Sequence, residues 1–328
     1  MRRSAASPSC LILLCACAGG STARAPSAAT PPVVEVVVAN QQSASASLVA
    51  GDAPVATHVR VGTGPHEAAV SPDGRIAVVT IYGTQTPGNE LAVVDLVNDS
   101  VSRTIDLGAY TRPHGVVFLD DRSVVVTSES TGNIVVVDLP TGVVEAIPTE
   151  ARGSHMVAVE ASGRRAWTAN VVDNTVSEMD LPGRRFLRSY PVPARPEGIA
   201  VTPDGAQVWV GSNETGAVTV LDPATGETLA TLRETSFPYR LTAAPDGRRV
   251  AIVDGEGDAL VVADVATLRV SGRIALDSPR GVAIAPDSRT AYVTLAAGGL
   301  AVVDLETLSV RHTIAVQSSP DGVGVGWR

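Results

Sequence analysis

One phrase returns seven times along this chain at a nearly constant interval: a Pro or Ser, one variable residue, a small apolar run, then a turn of the Pro-Asp-Gly type. Its lead residues are Pro65, Pro113, Ser154, Pro196, Pro238, Pro279 and Pro320, spaced 48, 41, 42, 42, 41 and 41 residues apart. A period of this size, made of Val/Ile/Ala-rich runs separated by Gly, Pro, Asn and Asp, predicts the blades of a β-propeller. Such a blade cannot cover its own sheet faces, but a ring of stacked blades can.

Each repeat divides into four strand-length runs, a to d. In the fourth copy they are Gly198–Val201, Gln207–Gly211, Ala217–Leu221 and Thr228–Leu232. Between a and b lies Pro203-Asp204-Gly205, whose Pro presets φ and whose Gly accepts a positive φ. Runs this uniformly apolar imply sheets covered on both faces. The chain ends fit the same scheme. Val33–Ala39, Ser47–Ala50 and Val55–Val61 match strands b, c and d with no strand a before them, whereas Pro320–Val325 match strand a with nothing after. Pairing the two closes the ring and removes the open sheet edges. The expectation is an all-β, seven-bladed propeller of four-stranded antiparallel blades over residues 33–328, and a monomer.

Composition narrows the function classes. The chain is 45% hydrophobic but only 3% aromatic, a balance suited to packed blades of small branched side chains. A net charge of −9 disfavours nucleic acid as a partner. There is no lysine, which removes Walker-type phosphate binding, Schiff-base chemistry and Ser-Lys dyads. No Gly-x-Ser-x-Gly elbow is present either.

Arg2 and Arg3 precede an apolar stretch, Cys10–Ala18, that is too short for a permanent span and reads as a signal peptide over 1–16. Within it, Leu14-Cys15-Ala16-Cys17 resembles the lipobox of bacterial lipoproteins. That resemblance implies lipidation of Cys17, with 17–32 as a Ser/Ala/Thr/Pro-rich tether. Ala18, rather than Asp, after the Cys is similar to lipoproteins sent to the outer membrane. The alternative is an ordinary signal peptide cut after Ala23 or Ala25. All three cysteines lie at or before position 17, so the propeller has no disulfide. The expected location is the bacterial cell envelope, lipid-anchored and facing the periplasm from the outer membrane.

The repeats themselves resemble a known family. Ser71-Pro72-Asp73-Gly74-Arg75, together with strands ending near an Asn such as Trp167-Thr168-Ala169-Asn170, Val210-Gly211-Ser212-Asn213 and Val38-Ala39-Asn40, is similar to the YVTN-type β-propeller repeat of about 40 residues. The resemblance covers Val33–Arg328 and implies the fold; members of that family are largely exported or surface proteins of mixed role. Similar repeats occur in the propellers of nitrous oxide reductase and haem-d1 nitrite reductases. This sequence carries no cupredoxin or cytochrome pattern, so those activities are not expected.

In a four-stranded blade the d-to-a and b-to-c connections share one rim. The variable residue after each lead residue should therefore ring the mouth of the central channel: His66, His114, His155, Glu197, Tyr239, Arg280 and Asp321. Chance would place almost none of the five histidines there, yet three occur in consecutive blades with a carboxylate next. His66, His114, His155 and Glu197 form a ligand set suited to one Zn, Cu or non-haem Fe ion. Tyr239, Arg280 and Asp321 would face them as catalytic candidates that orient a substrate or take a proton. The other reading is that duplication copied an imidazole that only bonds neighbouring backbone. His58 and His312 fall in outer strands. Asn170, Asp173, Asn213, Glu214, Asp254, Glu256 and Glu129 occupy b-to-c loops on the same rim, where turn chemistry asks for such residues anyway. The longer Tyr82–Glu90 loop, beside His66, either covers the mouth or is an inert insertion.

Two functional classes follow. One is a binding scaffold that holds an envelope protein, peptide or glycan at its rim. The other is a metal-dependent enzyme, of lyase or oxidoreductase type, with an axial three-histidine site.

Overall fold

A computed structural model describes Met1, residues 33–51 and residues 53–328. The expected signal peptide, the lipidation site Cys17 and the tether lie outside the described residues. Every repeat forms an antiparallel sheet in the order a-b-c-d, and 28 strands make seven such sheets among the described residues. In the fourth blade the strands are Pro196–Val201, Val208–Ser212, Val218–Leu221 and Thr228–Leu232. The first blade differs in its long b–c hairpin, Ile76–Gly83 against Pro87–Asp95.

Burial follows the strand order. Strands b and c are covered on both faces, as their unbroken apolar runs require; all of Val208–Ser212 is buried. The outer d strands are half wet, and in Ser309–Ala315 only Ile314 is buried. Among the described residues the core forms seven clusters, each shared by two neighbouring blades. Alternate residues of one strand serve the two neighbours: Val36 and Val38 pack on Tyr292 and Val302, while Val37 and Ala39 pack on Val79 and Val94.

The ring closes where the sequence predicts. Strand Pro320–Trp327 lies inside Val34–Asn40, with Val36 opposite Val325 and Val38 opposite Val323, and Ser45–Ala50 and Thr57–Arg60 complete the blade. Val33 and Arg328 exchange two backbone hydrogen bonds of 2.8 Å. Arg328 also pairs with buried Glu35 at 2.7 Å.

Candidate functional site at the channel mouth

Every strand a opens with a break in register. The pairing slips between Pro65 and Ala68, Pro113 and Val116, Ser154 and Val157, Pro196 and Ile199, Pro238 and Arg240, and Pro279 and Val282, and the closing strand slips opposite Val38 and Asn40. A bulge of this kind frees a residue from the ladder and re-aims its side chain. The variable residue sits in the bulge, so all seven turn toward the axis.

There they form a nearly continuous circuit. Asp321 Oδ2 lies 3.0 Å from His66 Nδ1, out of line for a hydrogen bond. The rings of His66 and His114 meet at 4.0 Å between centroids, tilted 44° to each other, and those of His114 and His155 at 3.7 Å, tilted 40°. His155 donates from Nε2 to Glu197 at 2.7 Å and from Nδ1 to Glu129 at 3.1 Å. Tyr239 lies under the guanidinium of Arg240 at 4.1 Å, with that of Arg280 at 5.8 Å. The mouth is covered: Tyr82, from the first blade's long hairpin, packs 5.0 Å from His66 and 5.5 Å from His114 and donates to Glu129.

Two further residues complete the site, Glu67 and Arg240. The position after the variable residue is glycine in four copies, Gly115, Gly198, Gly281 and Gly322, where neighbouring a strands press together. At Gly322 an added Cβ would collide with the backbone and carboxylate of Glu67. Glu67 and Arg240 are the charged exceptions, and they meet across the channel: Arg240 Nε donates to Glu67 Oε1 at 2.8 Å and Nη1 to Glu197 at 3.2 Å. The departure from glycine was the available signal in the sequence; that the two face each other was not. Beyond this bridge the a strands enclose a cavity of about 550 Å³, walled by residues such as Val116, Met156, Ile199, Leu241 and Val323, with Glu67 and Arg240 in its lining.

The three imidazoles differ in charge. Burial would strip the proton from His155, but Glu197 and Glu129 outweigh it and raise its pKa to about 9. Burial lowers His66 to about 4, against the pull of Asp321. His114 is pushed well below its ordinary value by burial first, then by the charges of His155 and Arg240 and by any proton on His66. At neutral pH the ring thus holds one imidazolium beside two neutral imidazoles. Burial opposes ionisation of Glu197, yet His155 and Arg240 bring it down to about 2. Burial raises Glu67 to about 7 in spite of Arg240. The Arg240 charge pulls Tyr239 down, but burial and the nearby carboxylates leave it at about 12.

Three of the other rim candidates, Asn170, Asp173 and Asp254, are held within their turns. Buried Asn170 accepts from Ser154 Oγ and donates to Thr175 and Ser177. Asp254 accepts the backbone N–H groups of Ser236 and Phe237 and pairs with Arg273. Asp173 pairs with Arg152. Ser212, not Asn213, stands opposite Pro196. Glu214 and Glu256 are exposed, as are His58 and His312. Glu129 alone among these loop residues joins the ring.

The fold and ring can be set beside known proteins. A comparison with curated proteins finds no match. Among solved structures, hydrazine synthase of Kuenenia stuttgartiensis is similar, with a TM-score of 0.68 and 16% identity over 79% of this chain and 89% of that one. At that identity the likeness is one of fold alone. The family model described as YNCE-like beta-propeller matches residues 60–238, more than half of the chain. With its YVTN-type repeats and seven four-stranded blades, this chain belongs to the YNCE-like β-propeller family.

Proposed function

We propose that this propeller is a cell-envelope binding protein that takes a small polar group, an ion or a polar moiety of an envelope protein, peptide or glycan, into the ring at its channel mouth. One observation carries the reading. Among the described residues ten buried side-chain nitrogen and oxygen atoms lack a hydrogen-bond partner, and five belong to this ring: His66 Nδ1, both nitrogens of His114, Arg240 Nη2 and Asp321 Oδ1. Arg240 Nη2 still lies 2.8 Å from Glu67 Oε1 and His66 Nδ1 3.0 Å from Asp321 Oδ2 as ion-pair contacts, so the wholly unmet atoms are both nitrogens of His114 and Asp321 Oδ1. Each costs about 1–3 kcal/mol while unpartnered, and a ligand that satisfies several at once gains that much in binding. Donors and acceptors occur side by side, which suits a ligand able to do both or an ion that takes the acceptors.

A metal-dependent enzyme is the second reading, favoured by the adjacent neutral imidazoles of His66 and His114. Of its catalytic candidates, Tyr239 holds its proton up to about 12 and makes a poor acid near neutrality. Arg280 and Asp321 are left to orient a substrate.

Both parts of the proposal are open to measurement. Native mass spectrometry of protein taken from its own envelope should show a small adduct that disappears in His114→Phe, with the melting temperature of the unliganded variant equal or higher. An adduct-free wild type combined with a more stable His114→Phe would leave the ring as mere packing. Cys17→Ser should move the protein from the membrane to the soluble fraction; unchanged fractionation would refute lipid anchoring.

A further inference from the structure

The geometry points to a divalent transition-metal site formed by His66, His114 and Glu67, an assignment that rests on the ring being a ligand site. Two trios of candidate ligands share His114. In one, His66, Glu67 and His114 bring one ligand atom each to within 4.8 Å of one another; in the other, His114, Glu129 and His155 do so. The second trio is already engaged. Both nitrogens of His155 are committed, to Glu129 and Glu197, so that ring has no lone pair to offer.

The first trio is open. His114 is completely buried, and neither of its nitrogens meets a protein partner. A wholly buried imidazole with two unmet nitrogens is costly as packing and apt as a ligand. Arg240 bonds only one oxygen of Glu67, Oε1. His66 Nδ1 makes no hydrogen bond and lies 4.0 Å from Glu67 Oε1 and 3.0 Å from Asp321 Oδ2. Asp321 thus sets a second carboxylate beside the ligand nitrogens, which favours a cation there. Two imidazoles and a carboxylate suit Zn²⁺ and its first-row neighbours rather than Ca²⁺ or Mg²⁺. Glu67 also lines the 550 Å³ cavity, which supplies a way in from the opposite end of the channel.

The ligand set differs from the three-histidine set that spacing alone suggests. His155 and Glu197 become the outer layer, holding Arg240 against Glu67 instead of binding the ion.

The test is calorimetric titration of chelator-treated full propeller with Zn²⁺, alongside the absorption spectrum of the Co²⁺ form, with His312→Ala as the surface-histidine control. His114→Ala should weaken Zn²⁺ by more than about 100-fold, Glu67→Gln and Asp321→Asn by about 10–100-fold, with each variant's melting curve confirming its fold. Wild-type binding no tighter than that of His114→Ala overturns the proposal. So does loss of binding in His155→Gln with retention in Glu67→Gln, which would place the ion in the other trio. If Zn²⁺ fails to bind while the native adduct is still lost in His114→Phe, the metal assignment falls and the ligand-binding ring stands.

Discussion

His155 carries a proton that His114, its ring neighbour at 3.7 Å, does not, and the difference lies in what faces each ring. Glu129 and Glu197 hold both nitrogens of His155, with burial and then the Arg240 charge as the opposing influences. Its pKa is raised in the folded state, so the stability it contributes is complete below about pH 6.5 and is lost as pH rises to about 9. His66 works in the opposite sense. Its folded pKa is lowered, so its contribution is present above about pH 6.5 and is lost as pH falls to about 4. Glu67, raised to about 7, loses stability between about pH 4.5 and 7 and offsets His66 there. Chemical denaturation should therefore show a shallow acid limb and a clear alkaline limb, on the order of 3 kcal/mol between about pH 6.5 and 9. His155→Gln should flatten the alkaline limb and leave the acid limb. An alkaline limb that survives the substitution would show that His155 is not the clamped imidazolium described.

At the level of the strand, the repeat consensus has a mechanical meaning. Thr80, Thr127 and Thr294 near the ends of three b strands accept the N–H freed by the bulge, from Glu67, Gly115 and Gly281 at 3.0, 2.9 and 2.6 Å. Thr127 and Thr294 also donate to the next blade, to the carbonyls of His155 and Asp321. One hydroxyl thus pins a bulge and seats the neighbouring ring residue. The residue that follows Thr127 stands opposite the lead residue: Ser128 faces Pro113, as Asn170 faces Ser154 and Asn40 faces Pro320. Thr127→Val keeps the shape but strands two buried backbone groups, Gly115 N–H and His155 C=O, and should cost about 2–4 kcal/mol in urea unfolding. Thr127→Ser, which keeps the hydroxyl, should cost less than about 1 kcal/mol. Equal losses from both would show that the methyl group, not the bonds, matters.

For the molecule as a whole, closure is the decisive contact. Blades make local hairpins, and only the seventh joins residues from opposite ends of the chain. Deleting residues 319–328 removes the inner strand of that blade, the Arg328–Glu35 pair and Asp321 from the ring. The flanking clusters around Val36 and Val38 then open to water and two sheet edges are exposed. The truncated protein should melt more than about 10 °C lower and self-associate on size exclusion. A monomer with an unchanged melting temperature would mean that the ring does not depend on this strand.

What the chain determines on its own is whatever lies within one period. Four-strand blades, their turns, the closing strand and the residue types at the ring are all readable, because each hairpin is local and the repeat states its pattern seven times. What touches what around the axis is decided only by closing the ring. Glu67 and Arg240 are 173 residues apart and bond because the fifth blade stands across the channel from the first. Three histidines at equivalent repeat positions become one imidazolium and two neutral rings because charge state follows distance and burial, which curvature sets and no repeat unit contains.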